Sequence, residues 1–312
     1  MKPAGPGTLI PAWAAADPGI ALCVLIGSHA RAGDAATGPD AGSDWDFQLA
    51  TAAPERFADG AWLAALGLPP LAYALRPGRL GSALKATAVT ARGELDLVIL
   101  PAEPLRGLAR QVVAGGLPPE PAARQALTDL AAVLAGGYRI LKGEAEFGPF
   151  YARVAAAIPP ARLDDAAVRA LAEGWICDYV ALRRRLERGE LLAARRALYL
   201  QLAEGNARLL HELRLRQGRP SFPDVRRLER LDAAAAARLA LPEVADAAGL
   251  RLAARSAART CRGLLRDLLG AGWRWPDLAP LGLGGEELGD DVLEGNVRDG
   301  DVRDRARAQD IL

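Results

Sequence analysis

The chain has 312 residues, 51% hydrophobic and 25% charged, and its 39 basic and 38 acidic residues leave a formal net charge of +1. That length accommodates two domains with sizeable cores, and the near-neutral balance gives no electrostatic footprint for nucleic acid. Cys23, Cys177 and Cys261 are odd in number and lack Cys-x-x-Cys spacing, so they support neither a disulfide framework nor a zinc site.

In chain order, apolar runs at 20–26, 45–50, 82–90, 94–100 and 138–142 read as strands, and segments at 8–16, 54–66, 104–114 and 121–134 as helices. Several of these helices open with Pro at a first-turn position. The pattern changes near residue 145. Beyond it, leucines and alanines recur at three- and four-residue spacing over 163–187, 191–217, 223–239 and 244–269, which predicts a helical bundle. Asp164 and Asp165 are placed to cap the first of these helices, and Gly189 and Gly218 to end the first two. From 284 to 312 the chain is rich in Gly, Asp and Arg with little apolar content, so a mobile or loosely docked tail is expected. The expected organisation is an α/β (α+β) mixed-sheet domain over 1–145, an all-α bundle over 146–283 and a polar tail over 284–312. The opening Met1-Lys2-Pro3-Ala4-Gly5-Pro6-Gly7 lacks the apolar stretch of a signal peptide, and no segment approaches the ~18 consecutive apolar residues of a membrane span. A cytoplasmic protein is expected.

Chemistry concentrates in the first domain. The run from Ile20 to Ile26 enters Gly27-Ser28, a strand leading into a tight turn whose free amides can hold a phosphate. In Ser43-Asp44-Trp45-Asp46-Phe47 the two acids are spaced two apart at the start of a strand, so both carboxylates project from one face toward that turn. Two like charges held so close call for a cation. The competing reading is an ordinary surface Asp-x-Asp. A third acid, Asp96, interrupts the apolar strand Leu95-Asp96-Leu97-Val98-Ile99-Leu100. An unpartnered buried charge costs several kcal/mol, on the order of its desolvation penalty, and metal is the expected partner. Arg31, just past the turn, is a candidate phosphate contact. Lys142, at the end of a strand, is either a second one or an exposed strand-end lysine. His29 is placed to touch a phosphate, and His211 reads as a partly buried helix residue.

Gly27-Ser28, Asp44-x-Asp46 and Asp96, in that order, resemble the nucleotidyltransferase superfamily. More narrowly, Leu95-Asp96-Leu97-Val98-Ile99-Leu100-Pro101 is similar to the third-acid strand of the aminoglycoside 6-adenylyltransferase (streptomycin adenylyltransferase) branch. Glu173-Gly174-Trp175, Arg188-Gly189-Glu190-Leu191-Leu192-Ala193, Leu209-Leu210 and Gln217-Gly218 also resemble that branch, so the likeness spans residues 20–220. There are departures. Fifteen residues, 29–43, separate Ser28 from Asp44, more than the family usually carries, and His29 stands where Arg is common. The loop 32–42 reads as a tolerated surface insertion or as a flap over a nucleotide.

The resemblance implies magnesium-dependent transfer of a nucleoside monophosphate, AMP from ATP, to a hydroxyl of a small aminoglycoside-like molecule, with release of pyrophosphate and a place in antibiotic resistance. It assigns Asp44 and Asp46 to magnesium and Gly27 and Ser28 to the terminal phosphates. Asp96 is a ligand for a second metal ion or the general base, and Glu173 is the rival base, unless it is a solvated helix-surface acid. A polycationic acceptor calls for carboxylates, whereas Arg183-Arg184-Arg185 and Arg195-Arg196 run along the first bundle helices. These arginines are expected to face solvent beside Glu187 and Glu190, which leaves Glu173 and Asp178 as acceptor-facing acids. Two other functions stand beside this one. A macromolecular acceptor, a protein or RNA end, sits poorly with 5% aromatic content as a stacking platform, and a silent nucleotide-binding regulatory module has no use for three mutually repelling acids. Neither nucleic acid nor membrane is an expected partner.

Overall fold

The computed structural model describes residues 5–31, 38–78, 82–159 and 162–281. The chain divides into two compact units, Met1–Arg162 and Leu163–Leu312. The tail expected over 284–312 and residues 32–37 of the long loop lie outside the described residues.

The first unit opens with α1 (Pro6–Ala16), whose Pro6 occupies a position where an amide has no intrahelical acceptor. There follow β1 (Ile20–Ile26), β2 (Trp45–Thr51), α2 (Ala61–Ala65), β3 (Pro70–Pro77), β4 (Leu84–Thr90), β5 (Gly93–Pro101), α3 (Ala102–Val113), α4 (Pro121–Leu134), β6 (Arg139–Lys142) and α5 (Glu144–Ala157). The six strands form one mixed sheet in the order β3-β4-β5-β2-β1-β6. β2 and β5 run parallel, and every other neighbouring pair is antiparallel. Because side chains alternate along a strand, Cys23, Leu25, Phe47, Leu49, Leu95 and Leu97 share one face with Ile10 and Ala14 of α1. Leu22, Val24, Ile26, Ala50 and Leu100 face the other way and join Leu105, Leu127, Leu130, Phe147 and Phe150 of α3, α4 and α5. With both faces covered, β1 and β5 read as nearly continuous apolar runs rather than alternating ones.

Three features of this unit departed from the sequence expectation. β3 was not anticipated, because its prolines at both ends and its alanines carry little strand preference. It lies at the sheet edge, paired only with β4, where proline is tolerated. The Tyr73 hydroxyl ties it down by donating to the Phe57 carbonyl at 2.6 Å. The helix expected over 54–66 divides into a 3-10 turn, Pro54–Phe57, and α2, with the Asp59 carboxylate accepting from the Ala61 amide at 2.9 Å where the helix restarts. α5 carries Gly148 and Pro149 in its interior, which obscured its period. It packs against α3 and α4, so the change of pattern near residue 145 and the division after Arg162 are different points in the chain.

The second unit is helical: α6 (Asp165–Glu187), α7 (Leu191–Ala197), a π-helical segment Leu198–Ala203, α8 (Glu204–Arg216), α9 (Leu228–Leu231), α10 (Ala233–Leu239) and α11 (Ala247–Leu269). Asp164 caps α6, accepting from the Ala167 amide at 2.7 Å. Gly189 and Gly218 take positive φ of 73° and 66° where their helices end. Trp175, Tyr179 and Leu182 of α6 meet Leu209 and Leu213 of α8 across an alanine stripe on α11, Ala253, Ala254, Ala257 and Ala258. The arginine runs do not all face solvent: Arg183 is buried, and Arg195 donates to the Val244 carbonyl at 2.8 Å. Glu190 pairs instead with Arg188, outside those runs, at 2.6 Å. No described helix is long and apolar enough to cross a membrane.

Two thiols are committed to these cores. Burial pushes the Cys23 thiol up to about 12 and also raises that of Cys261, whereas Cys177 is exposed. A thiol reagent at neutral pH is therefore expected to label Cys177 alone in the folded protein and all three after denaturation. Equally fast labelling of Cys23 or Cys261 would contradict the packing.

Candidate metal and phosphate site

β1 ends at Gly27, where the backbone turns with φ 71° and ψ −153°. A side chain is excluded there twice over. Positive φ disfavours one, and a Cβ would stand 2.1 Å from Asp46 Oδ2. The turn and the acid are thus packed directly on each other. Ser28 follows, 4% exposed, its Oγ without a hydrogen-bond partner among the described residues.

The acids assemble through register. In the parallel pair β2–β5, Asp46 lies directly opposite Asp96, and on its other side Asp46 pairs with Ile26 of β1, one residue before the turn. Asp44, two residues earlier, projects from the same face. One carboxylate oxygen from each of Asp44, Asp46 and Asp96 lies within 4.8 Å of the others, and all three side chains are half-buried. Oxygens sharing one magnesium ion stand about 2.9–4.2 Å apart for bonds of about 2.1 Å, so small side-chain adjustments bring this all-oxygen donor set onto a hard divalent cation. Together with the buried, unpartnered Ser28 hydroxyl, the residues present fit a magnesium-bound phosphate.

Asp96 is held by two side chains that the sequence reading did not single out. Thr87, opposite Asp96 on β4, donates from Oγ1 to Asp96 Oδ1 at 2.6 Å, and Lys85 Nζ lies 2.6 Å from Asp96 Oδ2. Lys85 sits two residues from Thr87 and so shares its face. Spacing within β4 hints at this, but only the β4–β5 register reveals it. One step along the same face from Asp46, buried Gln48 accepts at Oε1 from the Tyr151 hydroxyl at 2.8 Å. Burial raises the Tyr151 phenol well above its ordinary range, so it stays a neutral donor beneath the acids.

Trp45, between the paired acids, points to the opposite face. Its ring fills the space a side chain on Gly7 would need and stacks on His29 at 3.6 Å with 6° between planes. His29, expected near a phosphate, is instead occupied by that stack, and its Nε2 lies 3.4 Å from the Ser43 carbonyl. The approach to Asp44 is organised by Asp40, whose carboxylate accepts from the Gly42 amide at 3.1 Å and the Ser43 hydroxyl at 3.0 Å.

Of the remaining candidates, Arg31 stays at the turn, with Nε 3.4 Å from the Gly27 carbonyl. Lys142 requires a correction. It pairs with Cys23, three residues back along β1 from Ile26, or about 10 Å at strand rise. Its ammonium donates to the carbonyls of Ala14 and Asp17 at 2.8 and 2.7 Å, closing the C-terminal end of α1. Those carbonyls lie on the α1 side of the sheet, away from the acids, because Cys23 and Asp46 face opposite ways. In the second unit, Glu173 is exposed on α6 and Asp178 half-exposed. Trp175, next to Glu173 in the sequence motif, is a core residue. His211 is half-buried as expected, with Nδ1 2.7 Å from Ser221 Oγ.

No protein-family model matches the chain, and no curated protein sequence matches it. Among solved structures it is similar to an aminoglycoside 6-adenyltransferase from Bacillus subtilis, with 13% identity and a TM-score of 0.37 over 86% of this chain and 91% of that one. It is also similar to a nucleotidyltransferase-like protein from Exiguobacterium sibiricum, with 11% identity and a TM-score of 0.31 over 84% of this chain and 74% of that one. Both likenesses are distant at those scores.

Proposed function

We propose that the first unit binds a magnesium-bound nucleoside triphosphate, taken as ATP, and transfers its nucleoside monophosphate to a hydroxyl of a small molecule, releasing pyrophosphate. The observation that carries this reading is the convergence of Asp44, Asp46 and Asp96 beside a Gly27-Ser28 turn that packs directly on Asp46. Such a reaction needs magnesium to neutralise the phosphate oxygens and hold the attacking and leaving oxygens in line, and Asp44, Asp46 and Asp96 are the residues that would hold it.

The chain's own residues divide the remaining work. Ser28 Oγ, buried without a partner among the described residues, donates to a phosphate oxygen. Gly27 permits the close backbone approach, and Arg31 adds positive charge at the turn. Thr87 and Lys85 fix the Asp96 carboxylate, which serves either as a metal ligand or as the base for the acceptor hydroxyl. Glu173 is kept, on the sequence resemblance alone, as the rival base for that hydroxyl. An aminoglycoside-like polyol is proposed as acceptor on the sequence resemblance.

Thr87→Val keeps the shape of the strand and removes the donor to Asp96. Pyrophosphate release is expected to slow by about tenfold, as when the partner that orients a metal ligand is lost, with the thermal midpoint nearly unchanged. An unaltered rate would mean that the orientation of Asp96 is immaterial. For Glu173→Gln the expected loss is confined to acceptor-dependent turnover, about 10²-fold for a general base, with nucleotide affinity preserved. Equal turnover in both proteins would return Glu173 to the solvated surface. The function itself is tested by incubating the protein with each nucleoside triphosphate, magnesium and a panel of aminoglycosides and other polyols. Pyrophosphate and a product heavier by one nucleotidyl group are expected, and silence across the panel would oppose a small-molecule acceptor.

A further inference from the structure

The second unit contains a cavity of about 100 Å³ lined by Arg262, Arg266, Trp273 and Trp275. Every polar group these side chains bring is a hydrogen-bond donor: guanidinium and indole N–H groups donate, and neither residue type offers an acceptor. The indole N–H groups of Trp273 and Trp275 are both buried, and neither meets an acceptor among the described residues. Two such orphaned donors on residues that line one cavity are unusual, because buried N–H groups are nearly always paired.

Arg266 forms no ion pair among the described residues, and the adjacent carboxylate, Asp267, is engaged by Arg238 at 2.9 Å. Arg169 of α6 brings a further guanidinium nitrogen to 3.5 Å from where a Cβ on Gly272 would stand. The aromatic walls are fixed. The Arg262 guanidinium lies over the Trp275 ring at 5.8 Å, and Trp275 packs edge-on against the core residue Trp175 at 5.9 Å.

We propose that this cavity is a binding site for an oxyanion, the phosphate group of a small phosphorylated ligand or free phosphate. A cavity of about 100 Å³ has room for several water molecules, enough for a phosphate head, and the remainder of a larger ligand stays outside. Phosphate suits the donor set better than a carboxylate. It carries more charge and three acceptor oxygens, which matches forked guanidinium groups. The inference is independent of the nucleotide reading of the first unit.

The test follows the indole N–H resonances of the six tryptophans by ¹H–¹⁵N correlation while inorganic phosphate is added at constant ionic strength. Two resonances are expected to shift saturably, and Trp273→Phe and Trp275→Phe identify them by their disappearance. Arg266→Gln, a change at an exposed position, is expected to weaken that titration by at least about tenfold while the other indole signals stay in place. Ser28→Ala leaves it unchanged. A small phosphorylated sugar binding more tightly than inorganic phosphate identifies a ligand carrying the group, equal affinity identifies free phosphate, and acetate at matched ionic strength serves as the carboxylate arm. Unmoved Trp273 and Trp275 signals, an Arg266→Gln titration equal to wild type, or tighter binding of acetate than of phosphate would overturn the proposal.

Discussion

Asp46→Asn is expected to slow magnesium-dependent pyrophosphate release by about 10³-fold or more while leaving the fold intact. Asp46 is the middle acid of the three, opposite Asp96 in the β2–β5 register, next to Ile26 of β1 and packed on Gly27. Asparagine preserves its shape and removes its charge, so what is lost is the electrostatic hold on the cation. Metal-ion catalysis contributes several kcal/mol of charge stabilisation, and each ~1.4 kcal/mol is a factor of ten in rate. A cooperative melting transition in the variant is the control that separates lost catalysis from lost folding. A lower melting temperature with normal turnover per folded molecule would make Asp46 a structural residue.

The largest effect on stability is expected from Trp175→Ala, at about 3–5 kcal/mol. The indole is 2% exposed, stacks on Tyr179 at 5.7 Å and meets Trp275 edge-on. It also meets the π-helical segment Leu198–Ala203, where Trp175 Nε1 donates to the Leu202 carbonyl at 2.9 Å. Gly205 makes the approach possible, since a Cβ there would stand 2.6 Å from Trp175 Cδ1. Alanine therefore leaves a cavity and removes the indole donor of a buried carbonyl together. Trp175→Phe, which restores most of the volume but not the donor, should recover the greater part of the loss. If calorimetry placed the alanine variant within about 1 kcal/mol of wild type, the bundle core would not depend on this residue in the way its burial implies.

Much of the site was legible in the sequence because its geometry is local or periodic. Two-residue spacing put Asp44 and Asp46 on one face, and a polar residue inside an apolar strand marked Asp96. The partners of Asp96 were not legible. Thr87 and Lys85 reach it through the pairing of β4 with β5, and register depends on the whole sheet. Lys142 misled for the same reason: a lysine ending a strand looks the same whichever way the strand is laid, and here β6 delivers it to the end of α1. In the fold, buried strands with strong apolar runs were readable, whereas the proline-bounded edge strand β3 and the Gly148-Pro149 helix α5 owe their state to tertiary pairing rather than local preference. The π-helical segment could not be read at all, because the donor that meets its Leu202 carbonyl, Trp175, lies on another helix.

The central claim is that three acids and one turn together grip a metal-bound triphosphate. It is tested most directly by a crystal structure of the protein with manganese and a non-hydrolysable ATP analogue, using the anomalous signal to locate the metal. The expected map places manganese in contact with carboxylate oxygens of Asp44 and Asp46, and a phosphate oxygen within hydrogen-bond distance of Ser28 Oγ. Manganese and the triphosphate bound elsewhere, with the three acids untouched, would contradict it.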